Sequence, residues 1–100
     1  MKIDIKDIIE QSAHNRIISN LEYWLESEYP TTIIADRYDG TYSHGGWLAF
    51  PLYEIPPEVD GGDVECMEFW SNYKYPVGKG NTPDNALDNL RLKVRQELEK

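Results

Sequence analysis

Cysteine is almost missing from this 100-residue chain; Cys66 stands alone, so no internal disulfide can form. Histidine is nearly as scarce. His14 and His44 are the only two, which leaves little from which to build a zinc site. No apolar run approaches the roughly 18 residues that a membrane-spanning helix needs. The opening stretch, MKIDIKDIIEQ, is charged throughout and lacks the apolar centre of a secretory signal. These scarcities point to the cytoplasm, of a bacterium or of a phage-infected host cell. The most informative absence is positive charge in the middle of the chain. From Tyr38 to Tyr73 there is no Lys or Arg at all.

That same stretch holds Asp39, Glu54, Glu58, Asp60, Asp63, Glu65 and Glu68, and so most of a net charge of −8. It also holds eight of the twelve aromatic residues. The remainder of the chain is close to neutral. Such acidity disfavours binding DNA or RNA by surface charge.

The length allows one domain, residues 1–100. Within it we expect an amino-terminal helical segment over 1–29, a sheet with an acidic insertion over 31–78, and a carboxy-terminal helix over 82–99. Ile5, Ile8, Ile9, Ala13, Ile17, Leu21, Trp24 and Leu25 recur at helical spacing over 4–28. Asp4 is placed to cap that helix, SAHN at 12–15 is its weakest part, and Tyr29-Pro30 ends it. Residues 31–38, TTIIADRY, read as a strand, and Asp39-Gly40 opens a hairpin. Residues 47–55 read as a strand whose apolar residues fall on both faces. Pro51 marks it as an edge strand, or marks its end. Residues 56–63 are a loop. Residues 64–72 read as a short helix capped by Asp63, or alternatively as a strand. Residues 73–78 read as a further strand. The last helix runs from Pro83 to about Leu98, with Thr82 as its cap and Ala86, Leu87, Leu90, Val94 and Leu98 as its buried stripe. The fold class is therefore α+β: a small antiparallel sheet of three to four strands, packed by a carboxy-terminal helix, with an added amino-terminal helix.

The segments DGTYS, WLAFP and GKGNTPDNALDNL resemble the HicB-like antitoxin domain. Gly80, Asn81, Thr82, Asp84, Ala86, Leu87, Asn89 and Leu90 fit the strand-to-helix step of that family. The resemblance implies a compact sheet with one helix across it. It also implies a non-enzymatic role, covering the active site of a small toxin ribonuclease. It extends over roughly half of the chain. Here a long acidic insert separates the Phe-Pro step from the helix, and with the sequence closing on that helix operator binding is not expected. Toxin binding is thus carried by no particular residue of the match, and the insert is where this chain's own specificity is expected.

Catalytic, cofactor and metal signatures are not found. His14 has Glu10 four residues before it, which is too few ligands for a metal site. His44 reads as a turn residue, and Cys66, among acids, as a buried apolar one. GGD at 61–63 and GKG at 78–80 lack phosphate-loop spacing. The acids of the insert read either as a solvated loop or as a partner surface. On the second reading Trp47, Tyr53, Glu54, Glu58, Asp60, Asp63, Glu65, Glu68 and Trp70 are the expected contacts, with rings supplying contact area and carboxylates complementarity. Trp47, Tyr53, Phe69 and Trp70 cannot all enter so small a core without strain.

The expected function is a small acidic inhibitor of a basic, nucleic-acid-handling protein. The target would be a toxin ribonuclease or, if the chain is phage-encoded, a host defence nuclease, as for an anti-CRISPR. No direct nucleic-acid contact and no membrane is expected, and a homodimer is compatible with this reading. The alternative is a small-ligand or nucleotide-binding protein that uses Arg37, Lys74, Lys79, Arg91 or Arg95. An enzyme is the third class.

Overall fold

A computed structural model describes residues 19–99. Its centre is a three-stranded antiparallel sheet in the order β1-β2-β3, with β1 at Thr32–Ala35, β2 at Trp47–Phe50 and β3 at Gly78–Gly80. Ile33 pairs with Ala49, Ile34 with Leu48, and Leu48 with Lys79. Among the described residues three helices surround the sheet: α1 over residues 19–27, α2 at Asp63–Asn72 and α3 at Pro83–Leu98. A 3-10 turn, Pro57–Asp60, precedes α2. The architecture is the expected small α+β fold, with three strands.

Alternation along β2 divides the core in two. Ala49, with Trp47, joins Leu21, Trp24, Ala86, Leu90 and Val94 on one face. Leu48 and Phe50 join Val59 and Val77 on the other, where Phe69, Trp70 and Tyr73 cover them. The sheet is therefore covered on both sides, as the four consecutive apolar residues of β2 require.

α3 forms where its residues predict. Thr82 accepts a hydrogen bond from the Asn85 amide at 3.1 Å, and Pro83 occupies the first turn. Ala86, Leu90 and Val94 recur every fourth position and are fully buried. The helix lies unusually close to β3. A Cβ on Gly78 would stand 1.9 Å from the Ala86 carbonyl oxygen, and one on Gly80 2.6 Å from the Ala86 amide. Only glycine permits that approach. Asn89 also donates its side-chain amide to the Lys79 carbonyl.

α1 ends as expected before Pro30. Leu21 and Trp24 are buried against α3, and the Trp24 indole donates to the Pro30 carbonyl and the Thr31 hydroxyl, each at 3.0 Å. Glu28, in left-handed backbone, binds Arg91 of α3 through both carboxylate oxygens. Asp4, the SAHN stretch, His14 and the apolar positions from Ile5 to Ile17 lie outside the described residues.

Several boundaries differ from expectation. β1 stops at Ala35 because Asp36 turns the chain: its Oδ2 accepts from the Gly40 amide at 2.5 Å and the Ser43 hydroxyl at 3.1 Å. The Asp39-Gly40 pair does take left-handed backbone, but inside a longer turn. β2 ends at Phe50 and is the central strand, so Pro51 marks an end rather than an edge. The third strand lies at Gly78–Gly80 rather than 73–78, because Tyr73, Tyr75 and Val77 are drawn into the two cores and Pro76 has no amide to donate. Residues 64–72 are helical. However, the cap of α2 is Gly62, with no side-chain bond, and Asp63 is already inside the helix. No helix of the described residues is long and apolar enough to cross a membrane.

Candidate functional site

The insert folds onto the Leu48–Phe50 face as the 3-10 turn followed by α2. Its attachment is aromatic. Phe50 meets Trp70 and Tyr73, each with ring centroids 6.3 Å away, and Phe69 stacks on Tyr73 at 4.6 Å. Lys79 of β3 places its ammonium 4.9 Å from the Trp70 ring, a cation–π contact joining sheet and helix. Burial pushes the Tyr73 hydroxyl up to about 12, with Tyr75 adding to it. It therefore stays a neutral donor at every physiological pH.

The other end of the insert is held by the turn that follows β1. Arg37 donates to the carbonyls of Asp60 and Gly61, at 2.8 and 3.2 Å. Tyr38 donates to the Gly61 carbonyl at 2.6 Å, and Tyr42 to Asp63 at 3.2 Å. The insert is thus fixed at both ends, by hydrogen bonds at its start and by rings along α2.

On the outer side of this assembly, Glu65, Glu68, Phe69 and Asn72 share one face of α2 by their helical spacing. With Glu58 from the 3-10 turn and Tyr73 beyond the helix they line an open depression of about 400 Å³. Its floor is the stacked Phe69–Tyr73 pair and its walls carry three carboxylates. None of the three is ion-paired among the described residues. Such a site can accept a guanidinium or ammonium: carboxylates meet the charge and rings take the aliphatic stem.

The nine residues expected from the sequence are thereby divided. Glu58, Glu65 and Glu68 come together. Asp60 and Asp63 lie on the same insert beside the Arg37–Tyr42 turn and are exposed. Tyr53 and Glu54 are exposed elsewhere, just after β2. Trp47 is half-buried on the α3 face, and Trp70 is half-buried between Phe50, Phe69 and Lys79. The small core thus absorbs Trp47, Phe69 and Trp70, and of the four rings thought surplus only Tyr53 stands out, at 72% exposed. Phe69, Asn72 and Tyr73 belong to the depression, and sequence reasoning had not placed them there. The Glu65, Glu68, Asn72 spacing was the available signal for one wall.

Cys66 is fully buried under α2, and burial raises its thiol above the ordinary value. His44 is an exposed turn residue in left-handed backbone, as expected from its glycine neighbours. Among the described residues no three His, Cys, Asp or Glu side chains converge as metal ligands. Of the cations available to an anionic ligand, Arg91 is engaged by Glu28 and Asp88, and Arg37 by the insert's backbone. Lys74, Lys79 and Lys93 do meet, around a depression of about 270 Å³ that Tyr73, Tyr75 and Glu97 also line.

No protein-family model matches the chain, and neither the curated proteins nor the solved structures contain a significant match to it.

Proposed function

We propose that this chain is a small, non-enzymatic binding protein that neutralises a basic, nucleic-acid-handling protein. The observation that carries this reading is the depression of Glu58, Glu65 and Glu68 over the Phe69–Tyr73 stack. A nuclease's substrate cleft presents Arg and Lys to phosphates. Carboxylates spaced along a rigid helix can occupy those side chains instead, and aromatic floors hold their stems. The HicB-like resemblance supports a toxin ribonuclease as target. A host defence nuclease, blocked in the manner of an anti-CRISPR, is the alternative if the chain is phage-encoded.

The test is inhibition of purified candidate ribonuclease toxins and defence nucleases. The triple reversal Glu58→Lys, Glu65→Lys, Glu68→Lys should abolish inhibition while circular dichroism remains native. Association of the wild-type chain should slow as salt rises, since exposed charges are screened beyond about 8 Å at physiological ionic strength. Full inhibition by the triple variant would remove the acidic surface from the account.

A second reading rests on Lys74, Lys79 and Lys93, which meet between two tyrosines and could take a nucleotide. Calorimetry with ATP at low salt tests it, and Lys79→Ala should then abolish the heat of binding.

A further inference from the structure

A second concave surface shares none of its lining with the acidic depression. Tyr23 of α1, Tyr29 of the following turn, Tyr53 beyond β2 and Tyr75 before β3 surround a groove of about 370 Å³, with Pro30 and Pro51 between them. Tyr23, Tyr29 and Tyr53 are 60%, 58% and 72% exposed. Single exposed rings are ordinary, but four tyrosines gathered from four separate segments around one groove form a contiguous surface of the kind that marks binding. The surface is also preorganised. Tyr29 meets Tyr53 edge-on, with centroids 5.6 Å apart at 86°. Thr32 donates to the carbonyls of Leu52 and Tyr53, fixing the segment that carries Tyr53. The Trp24 indole is already satisfied by Pro30 and Thr31, which leaves the phenols and the Asn20 amide as the groove's side-chain donors.

We infer that this groove binds a proline-rich segment of a partner, in polyproline II form and flanked by arginine or lysine. Three features select that occupant. Proline rings stack on tyrosine faces, and an extended left-handed helix presents its pyrrolidines to such a groove at low entropic cost. That helix makes no internal hydrogen bonds, so its carbonyls are free for phenolic donors. An α-helix satisfies its own carbonyls and would leave these phenols idle. Tyr53 titrates above its ordinary value, chiefly because Tyr29 lies beside it. The charge around the groove chooses the flanks. No Lys or Arg lines it, and Glu22 and Glu54, next in sequence to Tyr23 and Tyr53 of the lining, are exposed and without an ion pair among the described residues. A phosphate-bearing ligand would meet those carboxylates and be repelled.

The experiment is fluorescence anisotropy of the whole chain with a short labelled oligoproline carrying arginine at both ends. The control is a glycine-serine peptide with the same arginines. The oligoproline should bind at least about tenfold more tightly, and Tyr53→Ala and Tyr23→Ala should each weaken it by about five- to tenfold, the loss expected for an aromatic anchor. Both tyrosines are exposed, so the fold should tolerate either change, and circular dichroism checks this. Equal binding of the two peptides would reduce the effect to charge and overturn the inference. So would unchanged affinity in both tyrosine variants, or no saturable binding at all. Sedimentation of the chain alone supplies a further arm: a dimer that Tyr53→Ala dissociates would assign the groove to a second copy of the chain and overturn the peptide reading.

Discussion

On one face of the sheet, α3 lays Ala86, Leu90 and Val94 on Ala49 and Ile33; on the other, the 3-10 turn and α2 set Val59, Phe69 and Trp70 on Leu48 and Phe50. The two coverings are made differently. α3 is locally complete. It has a side-chain cap, a proline in its first turn, Asp84 near its positive end and Arg95 in its last turn. α2 has a glycine at its cap, no side-chain bond there, no basic residue in its last turn, and one fully buried residue, Cys66. It is a helix because rings and a backbone clamp hold it. The lesson is a division of labour. The side with strong local signals carries stability, and the side that depends on tertiary support presents unpaired carboxylates.

The sharpest break of this contrast should come from Gly78→Ala. The added Cβ would fall 1.9 Å from the Ala86 carbonyl oxygen, against backbone that cannot give way. We expect a loss of at least about 3 kcal/mol, or no cooperative thermal transition. Gly62→Ala is its counterpart in the insert, where nothing lies within 4 Å of the added carbon, and it should melt like the wild type.

Next in size is Leu90→Ala, which empties a fully buried position and should cost about 2–5 kcal/mol in urea unfolding. Met67→Ala removes a side chain 47% exposed on α2 and should stay within about 0.5 kcal/mol. A comparable loss from Met67 would mean that α2 contributes to the core as α3 does.

Thr82→Ala should cost about 1 kcal/mol, because the Asn85 amide loses its acceptor. Asp63→Ala, at the start of α2, removes no cap, only the exposed 3.2 Å hydrogen bond from Tyr42, and should cost less than Thr82→Ala.

The smallest effect depends on pH. The Arg91 hydrogen bond, opposed by desolvation, holds the Glu28 carboxyl below its ordinary value of 4.5. A carboxylate whose native value is depressed stabilises the fold fully above its unfolded value. That contribution fades as the pH falls below 4.5 and through the lowered native value. Glu28→Gln should therefore melt slightly below the wild type at neutral pH and coincide with it in acid. A gap that persists in acid would place the effect in the turn rather than in the ion pair.

What the sequence disclosed follows the same division. Thr82, Pro83 and the four-residue recurrence of Ala86, Leu90 and Val94 determine α3 almost by themselves, and its limits match. α2 was legible only as a choice between helix and strand, since its decisive contacts, to Phe50 and Lys79, are distant in the chain. Residues 73–78 misled because tyrosine and valine favour strands, whereas the glycines that α3 needs beneath it carry no such preference. Three members of the acidic depression were readable as unbalanced charge. Phe69 and Tyr73 were not assigned to it, because their stack depends on where the helix ends. The tyrosine groove had no local signature at all, since its walls come from four separate segments.

The clamp on the start of the insert has a consequence for how readily this molecule can change. Arg37 and Tyr38 grip the carbonyl oxygens of Asp60 and Gly61, not their side chains. Every residue type offers that same oxygen. The anchor is therefore largely indifferent to which side chains the insert displays, and substitutions at exposed positions other than Asp63, which Tyr42 also binds, leave these contacts in place. A surface mounted in this way can be rewritten residue by residue without putting the scaffold beneath it at risk.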